Sequence, residues 1–296
     1  MAETWLVTGG TGQVGLALRR SPPPGVRIVA PGRDELDLAA LPDLAPLLEG
    51  VTGIINCGAY TAVDKAESEP ELAQAINAAA PAQLAQAAAQ ADIPIIHVST
   101  DYVFAAHGSG PWREDAPIAP VSVYGHTKAE GEAGVRASGA RHAIIRTAWM
   151  VSTDGHNFVK TMLRLGGERD TLRVVADQIG TPTHAGDLAA ALATVMGRFR
   201  ADPAQASGTW HCTNSGETSW HGLASHVFAC AAGHGLKVPA TVEAIPTAEY
   251  PTPAQRPADS RLDITAIARD FGVRPRTWQD AIAEIVERLA KQEQDI

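Results

Sequence analysis

The sequence is poor in cysteine and has no long apolar run, which excludes several classes of protein. Its three cysteines, Cys57, Cys212 and Cys230, are odd in number and widely spaced. This pattern fits neither a disulfide framework nor a paired zinc motif, so we expect three buried thiols. No run reaches the roughly 18 apolar residues of a membrane span. No cluster of His, Cys or carboxylate residues has metal-ligand spacing, so no metal site is predicted.

Basic residues are also scarce. Lys and Arg total 24 against 33 Asp and Glu, a formal net charge of −9. Nucleic-acid binding requires a concentrated basic face, which this sequence lacks. The opening "MAETWLVTGG" has neither the basic start nor the apolar stretch of a secretion signal, which predicts a cytoplasmic protein.

Short apolar runs alternate with helix-prone stretches through the first half of the chain, which predicts an α/β fold. The runs are "WLVTG", "VRIVA", "GIINCGA", "IPIIHVST" and "AIIRTAW". Continuous apolar runs are typical of strands covered on both faces, so we expect a Rossmann-like doubly wound parallel sheet. The predicted dinucleotide-binding domain covers 1–150, with 171–200 returning to it. A smaller α/β C-terminal substrate lobe then covers 151–170 and 201–296.

A glycine-rich turn follows the first predicted strand. "LVTGGTGQVG" places Gly9, Gly12 and Gly15 three residues apart at the start of a predicted helix. A turn without side chains lets backbone N–H groups and a helix N-terminus approach a pyrophosphate. The context therefore predicts a dinucleotide site.

The residues after the second strand should determine whether the protein prefers NADPH or NADH. "VRIVA" runs into "PGRDELDL", where Arg33 suits the 2′-phosphate of NADPH and Asp37 suits adenine or ribose. Asp34 and Asp37 leave NADH open as the cofactor. Arg33 and Asp37 could equally be solvated loop charges.

The stretch "VYGHTK" places Tyr124 four residues before Lys128. On a helix these side chains share one face, where the ammonium should lower the pKa of the phenol and make it a better proton donor. "HVSTDYVF" ends the fourth strand, so Ser99, Thr100 and Asp101 should face the nicotinamide. We expect Thr100 to bind the substrate carbonyl, although the stretch alone could also be a turn.

The ordered set "GGTGQVG", "STDYVF" and "VYGHTK" resembles the extended short-chain dehydrogenase/reductases. Further blocks resemble the dTDP-4-dehydrorhamnose reductases among them. These blocks include "AYTAVDKAESEP", "RTAWM", "NFVKTML", "DQIGTPT" and "RPADSRLD", and they run along most of the chain. The resemblance implies NADPH-dependent reduction of the C4 ketone of a dTDP-4-keto-6-deoxyhexose, giving dTDP-L-rhamnose.

The resemblance also implies roles for individual residues. Tyr124 would donate the proton with Lys128 as its partner, while Thr100 and Asp101 would lie near the sugar carbonyl. The implied cofactor-binding residues are Gly9, Gly12, Gln13, Val14, Gly15, Arg33, Asp37, Leu38, Gly58, Ala59, Tyr60, Tyr124 and Lys128. The implied substrate-binding residues are Thr100, Asp101, Trp149, Asn157 and Arg256. An arginine fork also suits a diphosphate on physical grounds.

Two alternatives and one departure accompany this interpretation. The chain could reduce the ketone of a different dTDP-deoxysugar, or it could bind a dinucleotide without turnover on the same fold. Some relatives carry an acidic residue that helps to bind magnesium at a dimer interface where this chain has Ala17. Alanine offers no ligand atom, so the sequence predicts a monomer or homodimer without a magnesium bridge.

Overall fold

A computed structural model describes residues 3–108 and 110–294 of the chain, and parallel strands form its centre. The strands are β1 (Glu3–Thr8), β2 (Val26–Val29), β3 (Gly53–Asn56), β4 (Ile95–Thr100), β5 (His142–Thr147), β6 (Met150–Val151), β7 (Thr171–Val175), β8 (Ile179–Gly180), β9 (Thr183–His184), β10 (Gly208–His211), β11 (Thr218–Ser219) and β12 (Thr241–Ile245). In the described ranges six of them form one sheet in the order β2-β1-β3-β4-β5-β10, with every pairing parallel. The predicted parallel α/β fold is thereby confirmed.

Helices cover both faces of this sheet. The helices in the described ranges are α1 (Gln13–Arg20), α2 (Val63–Ala66), α3 (Pro70–Gln74), α4 (Ala80–Gln90), α5 (Val123–Ala137), α6 (Phe158–Glu168), α7 (Ala185–Ala201), α8 (Trp220–Gly233), α9 (Thr265–Phe271) and α10 (Trp278–Gln294), of which α6, α8 and α10 pack in a separate core. Alternate strand residues point to opposite faces. Val7 and Ile55 pack with α1, α7 and α9, while Leu6 and Ile54 pack with α4 and α5. Burial on both faces explains the continuous apolar runs in the sequence.

The C-terminal half contributes to two cores. β10 joins the main sheet beside β5, and α7 packs against α1. β7 pairs instead with β12, and its Leu172 packs in a separate apolar cluster with side chains of α6, α8 and α10. The domain boundaries drawn from the sequence stay a prediction, but these pairings show the core to which each of these elements contributes.

The alanine-rich segment before β4 contains a helical irregularity. A π-helical turn spans Ala75–Ala79 between α3 and α4. Pro81 follows in the first turn of α4, and the backbone of Ala79 and Ala80 before it is already helical. The proline therefore lies where the π-helical turn passes into α4 within one continuous helical run, and its missing N–H coincides with this change in helical pitch.

Two compositional expectations have separate outcomes. Cys212 is buried as expected, but Cys57 and Cys230 are only half-buried, and all three thiols are free. Cys57 lies just beyond the end of β3, where its side chain packs against the core that contains Val7 and Ile55. Within the described residues, no helix is long and apolar enough to cross a membrane.

Candidate active site

The main sheet has a point at which its strand order reverses. The chain passes from β1 to β2 on one side, then crosses β1 to enter β3 on the other. In open parallel sheets, ligands bind beyond the carboxyl ends of the strands at such a point. The segments after β1 and β3, which contain Gly9 and Gly58, meet in this crevice.

The turn after β1 fits a phosphate group. Gly9 has a φ of +67°, and a Cβ atom on it would lie 2.8 Å from Cα of Gly58. The N–H of Gly12 donates to the carbonyl of Gly9 at 2.9 Å, and α1 begins at the next residue. A Cβ on Gly15 would overlap the Gly9 carbonyl. The glycines thus give close backbone packing that leaves the helix N-terminus accessible to an anion.

Two neighbours of this turn connect it to other parts of the chain. Val14 is buried in the core beneath α1. The Gln13 side chain accepts a hydrogen bond from Ser152 Oγ at 2.8 Å and one from Asn157 Nδ2 at 3.2 Å. The structure therefore brings Gln13, predicted to contact the cofactor, together with Asn157, predicted to contact the substrate.

The residues predicted to contact the adenosine end lie after β2. Arg33 and Asp37 are exposed and form an ion pair, with Nε and Oδ1 3.6 Å apart. An exposed pair of this kind contributes little stability, so the Arg33 side chain can exchange partners, whereas Asp37 Oδ1 also accepts from the N–H of Ala39 at 2.9 Å. Leu38 packs directly on Gly58, because a Cβ at Gly58 would overlap its Cδ1 atom. This contact puts the segment after β2 beside the crevice.

The segment after β3 is fixed by a residue that sequence reasoning missed. Ala59 and Tyr60 follow Gly58 and are half-buried. Asn77, in the π-helical turn, accepts from the N–H of Tyr60 at 2.8 Å and donates to its carbonyl at 3.1 Å. Its amide also donates to Thr127 of α5. Irregular helical turns often mark functional sites, and the helix-breaking proline nearby was the available signal.

Thr100 and Asp101 lie at the carboxyl end of β4, as predicted. Thr100 Oγ1 donates to Asp101 Oδ1 at 2.8 Å and accepts from the N–H of Tyr102 at 3.3 Å. Asp101 is only 2% exposed. Burial raises the pKa of its carboxyl to about 7, although the Thr100 hydroxyl opposes the shift. Its Oδ2 atom is buried and has no hydrogen-bond partner among the described residues, which makes the charged form of this carboxyl costly.

Tyr124 is at the N-terminal end of α5, half-buried and edge-on to Tyr102, with ring centroids 5.4 Å apart. Ser122 caps this helix by accepting from the N–H of Gly125 at 3.1 Å. The expectation of a lowered phenol pKa was wrong. Burial raises the pKa of Tyr124 to about 12, the Asp101 charge adds to the rise, and the Thr100 hydroxyl acts against it.

The reason lies in the position of Lys128, one turn further along α5. It is 2% exposed, and Nζ donates to the carbonyl of Val98 at 2.7 Å. Nζ also lies 3.4 Å from Nε2 of His97. Burial lowers the pKa of Lys128 to about 8, while the Glu132 carboxylate opposes this change. Tyr124 and Lys128 share a helix face, but the Lys128 ammonium lies against β4, at Val98 and His97, rather than against the phenol.

A buried ion pair connects α5 to the sheet. Glu132 accepts from Arg146 of β5 through both carboxylate oxygens, each at 2.8 Å, and neither side chain is more than 1% exposed. Arg136 also reaches Glu132, at 2.7 Å. These contacts hold the helix that carries Tyr124 and Lys128.

The residues predicted to bind the sugar lie in two environments. Trp149 has a φ of +47°, rare for a residue with a side chain, and it stacks on Trp220 with centroids 3.6 Å apart. Asn157 instead caps α6 by accepting from the N–H of Lys160 at 3.2 Å, and its amide donates to the carbonyl of Ser152. Its polar atoms are thus satisfied within the protein.

Arg256 already holds an anionic group. Its guanidinium donates to both oxygens of Asp64 in α2, at 2.8 and 2.7 Å, and to Thr252 Oγ1 at 2.8 Å. The Arg256 charge also lowers the pKa of Tyr102, although burial of that phenol is the larger effect and raises it. A diphosphate would have to bind beside Asp64 or replace it.

One family model, described as the RmlD substrate binding domain, matches residues 3–291. A dTDP-4-dehydrorhamnose reductase of Sinorhizobium fredii is 42% identical over 295 residues, covering 98% of each chain. The enzyme of that name from Escherichia coli is 39% identical and covers 96% of this chain and 97% of its own.

Solved structures show the same similarity. A dTDP-4-dehydrorhamnose reductase of Clostridium acetobutylicum superposes with a TM-score of 0.89 at 36% identity, covering 97% of this chain and 99% of its own. One from Bacillus anthracis, solved in complex with NADP, gives a TM-score of 0.89 at 31% identity and covers 97% and 100%.

Proposed function

Because the chain belongs to the RmlD substrate binding domain family, we propose that it is an NADPH-dependent reductase of dTDP-4-dehydro-L-rhamnose. The proposed reaction converts the C4 ketone to the alcohol of dTDP-L-rhamnose. One observation carries the proposal. Thr100 ends β4 and Tyr124 lies in the first turn of α5, which packs on β4, with Lys128 buried one helical turn further on. The same sheet carries a glycine turn that fits a phosphate after β1.

The dinucleotide would lie across the reversal point of the sheet. Gly9, Gly12 and Gly15 leave space for the pyrophosphate at the start of α1, and Arg33 would meet the 2′-phosphate. The NADP complex of the Bacillus anthracis relative supports this choice of cofactor. When bound, NADPH supplies the hydride that reduces the ketone.

The side chains at the end of β4 would handle the oxygen of the ketone. The Thr100 hydroxyl can bind the carbonyl and fix its position, as an electrostatic group rather than a base. Tyr124 stays protonated throughout the working pH range, because its pKa is raised to about 12. Its phenol can therefore deliver a proton to the alkoxide as negative charge develops there.

The remainder of the substrate would extend toward the C-terminal segments. Trp149 would contact the sugar ring with the part of its indole that Trp220 does not cover. Arg256 would bind the diphosphate, because a guanidinium can hold two phosphate oxygens at once. Its bidentate contact with Asp64 supports this role only as a sign that the guanidinium can hold a two-oxygen anion, which the diphosphate would join or replace.

The decisive experiment measures loss of nicotinamide absorbance with purified protein, NADPH or NADH, and dTDP-4-dehydrorhamnose generated in place. We expect rapid oxidation of NADPH and identification of the product as dTDP-L-rhamnose. NADPH oxidation that gives a different sugar product would show that the protein is a ketoreductase for another dTDP-deoxysugar. Dinucleotide binding without oxidation would overturn the reductase proposal in favour of a binding protein.

The Tyr124→Phe variant tests the proton donor. We expect kcat to fall about 10²- to 10⁴-fold, because the ring remains but the proton is lost. The Kd for NADPH, measured by fluorescence titration, should remain within about threefold of the original value, since the phenol oxygen makes a small part of the cofactor contact. Unchanged turnover would exclude Tyr124 from this role.

Cytoplasmic location and a monomeric or homodimeric state stay predictions.

A further inference from the structure

Three polar residues lie side by side in the main sheet. Thr8 of β1 pairs in register with Asn56 of β3, and Asn56 pairs with His97 of β4. They share the sheet face covered by α4 and α5, where the preceding row is Leu6, Ile54 and Ile95. None of the three is more than 1% exposed. Placing polar groups in an apolar core is costly unless each one is hydrogen-bonded.

The row is connected from end to end. The N–H of Gly58 donates to Thr8 Oγ1 at 3.3 Å, and Thr8 Oγ1 donates to Asn56 Oδ1 at 2.5 Å. The Asn56 amide contacts Nδ1 of His97 at 3.0 Å, and Nε2 of His97 lies 3.4 Å from Nζ of Lys128. The row therefore begins at the dinucleotide crevice and ends at the lysine of α5.

We propose that His97 is a positioning residue for Lys128, holding its side-chain nitrogen through Nε2 at the floor of the dinucleotide crevice. This inference rests on the proposed reductase function and deepens it. The backbone carbonyl of Val98 fixes Nζ from one direction, and the imidazole fixes it from another. With both contacts the flexible lysine side chain has a single defined end point in the site.

The imidazole suits this task because it can serve both protonation states of the lysine. A neutral ring offers either a lone pair to the ammonium or an N–H to the amine, depending on its tautomer. In the arrangement observed, the Asn56 amide faces Nδ1, which leaves the N–H of a neutral ring on Nε2 toward the amine form of Lys128. Turning the Asn56 side chain over presents its carbonyl to Nδ1 and serves the ammonium form, and the Thr8 hydroxyl can follow because it both donates and accepts. His97 itself stays neutral, since burial lowers its pKa well below the usual value, and Lys128 and Arg136 add to this effect.

Other ionisable groups face Lys128 from the neighbouring elements. Glu132 lies one turn along α5, and the Cys57 thiol follows β3; a negative charge on either would favour the ammonium. Burial raises the pKa of Cys57 to about 12, so this thiol stays neutral. Glu132 is already engaged by Arg146 and Arg136. His97 is thus the side chain whose ring nitrogen is in polar contact with Nζ.

Two matched variants separate positioning from simple core packing. His97→Gln places an amide near the location of Nε2 and can still contact Lys128, whereas His97→Asn reaches only the location of Nδ1 and can still contact Asn56. We expect kcat to fall about 10- to 100-fold in His97→Asn, because the reacting group is misplaced. His97→Gln should restore most of the activity. Equal losses in both variants would assign His97 a structural role.

A measurement without turnover makes the test independent of the reaction. The chain contains five lysines, so ¹³C-lysine labelling gives a simple spectrum in which the Lys128→Met variant identifies the Lys128 signal. In His97→Asn the pKa of Lys128 should fall by about one unit, because the buried ammonium loses a polar contact. His97→Gln should leave the pKa close to its original value. An unchanged pKa in His97→Asn would overturn the proposal.

The unaltered protein provides a final check that needs no variant. Ring ¹⁵N shifts of His97 should change over the same pH interval as the Lys128 signal, because the tautomer responds to the lysine proton. Independent titrations would contradict the proposed contact. A protein that shows this coupling but reduces no dTDP-sugar would refute the proposed function alone. An active enzyme without the coupling would refute only the role of His97.

Discussion

At the scale of single residues, burial in the candidate site disfavours the charged forms of its ionisable side chains. Burial raises the pKa of Asp101 to about 7 and that of Tyr124 to about 12, and it lowers that of Lys128 to about 8. In each case the shift favours the neutral form. Groups displaced in this way cluster at sites that transfer protons, which agrees with the proposed reaction.

Lys128 should determine the alkaline limb of the pH profile. kcat/KM reports groups of the free enzyme, so it should decline above about pH 8, where Lys128 loses its proton. Tyr124 titrates too high to cause this decline. Lys128→Arg should lower the overall rate but remove the limb, because arginine stays charged. If kcat/KM of the Lys128→Arg variant still declines above about pH 8, a group other than Lys128 causes the decline.

Asp101 should reduce stability at neutral and alkaline pH. Its folded pKa is raised above the unfolded value of about 4, so its contribution to stability is present below pH 4 and is lost as the pH rises to about 7. Asp101→Asn removes the buried charge. We expect the free energy of unfolding at pH 8 to rise by about 2 to 4 kcal/mol, and by less than half of that at pH 5. Urea unfolding at both pH values measures the difference, and equal gains would contradict it.

At the scale of elements, α5 is the helix that organises the site. It carries Tyr124 and Lys128, and the Glu132 to Arg146 ion pair holds it to β5. Gly131 allows close approach to the π-helical turn, because a Cβ there would overlap the carbonyl oxygen of Asn77. The position of the proton donor therefore depends on packing against an irregular neighbouring helix.

Gly131→Ala tests this packing, with Gly197→Ala in α7 as the matched control. A Cβ at Gly131 forces backbone apart, so we expect a loss of about 2 kcal/mol or more in unfolding free energy, together with reduced kcat. A Cβ at Gly197 meets nothing within 4 Å. That variant should gain about 0.5 to 1 kcal/mol from helix propensity and retain its activity. Similar effects at both positions would show that α5 is not closely docked.

At the scale of the whole molecule, a polar joint connects the phosphate turn to the segment before α6. Ser152 Oγ donates to Gln13 Oε1 at 2.8 Å and accepts from the N–H of Asp154 at 3.0 Å. Asp154 also forms an ion pair with Arg20 at the end of α1. Residues more than 130 positions apart thus meet beside the dinucleotide crevice.

Ser152→Ala should weaken this joint. We expect the Kd for NADPH to rise about three- to tenfold, because one hydrogen bond that orients Gln13 is removed. Ser138→Ala is the control, since Ser138 Oγ donates to the carbonyl of Val135 at the far end of α5. It should cost a similar unfolding free energy of about 1 kcal/mol without changing cofactor affinity. If both variants bind NADPH like the unaltered protein, the joint has no part in cofactor binding.

Local patterns predicted the elements well. The apolar runs that form β1 to β5 and the glycines after β1 depend on burial and on backbone freedom, which are encoded within a few residues. The pKa values could not be obtained in this way. Tyr124 and Lys128 share a helix, yet burial is the main cause of both pKa shifts, and that burial depends on how α5 packs against β4.

The sequence by itself determined the first five strands of the main sheet and the glycine turn, because hydrophobic periodicity and the conformational freedom of glycine act locally. Only the tertiary structure decided three contacts. Asp64 forms an ion pair with Arg256, Asn77 hydrogen-bonds the backbone of the segment after β3, and His97 contacts Lys128. Each of these contacts joins side chains from different elements. Hydrogen bonds act over about 3 Å, so their partners are set by how the elements pack rather than by spacing along the chain.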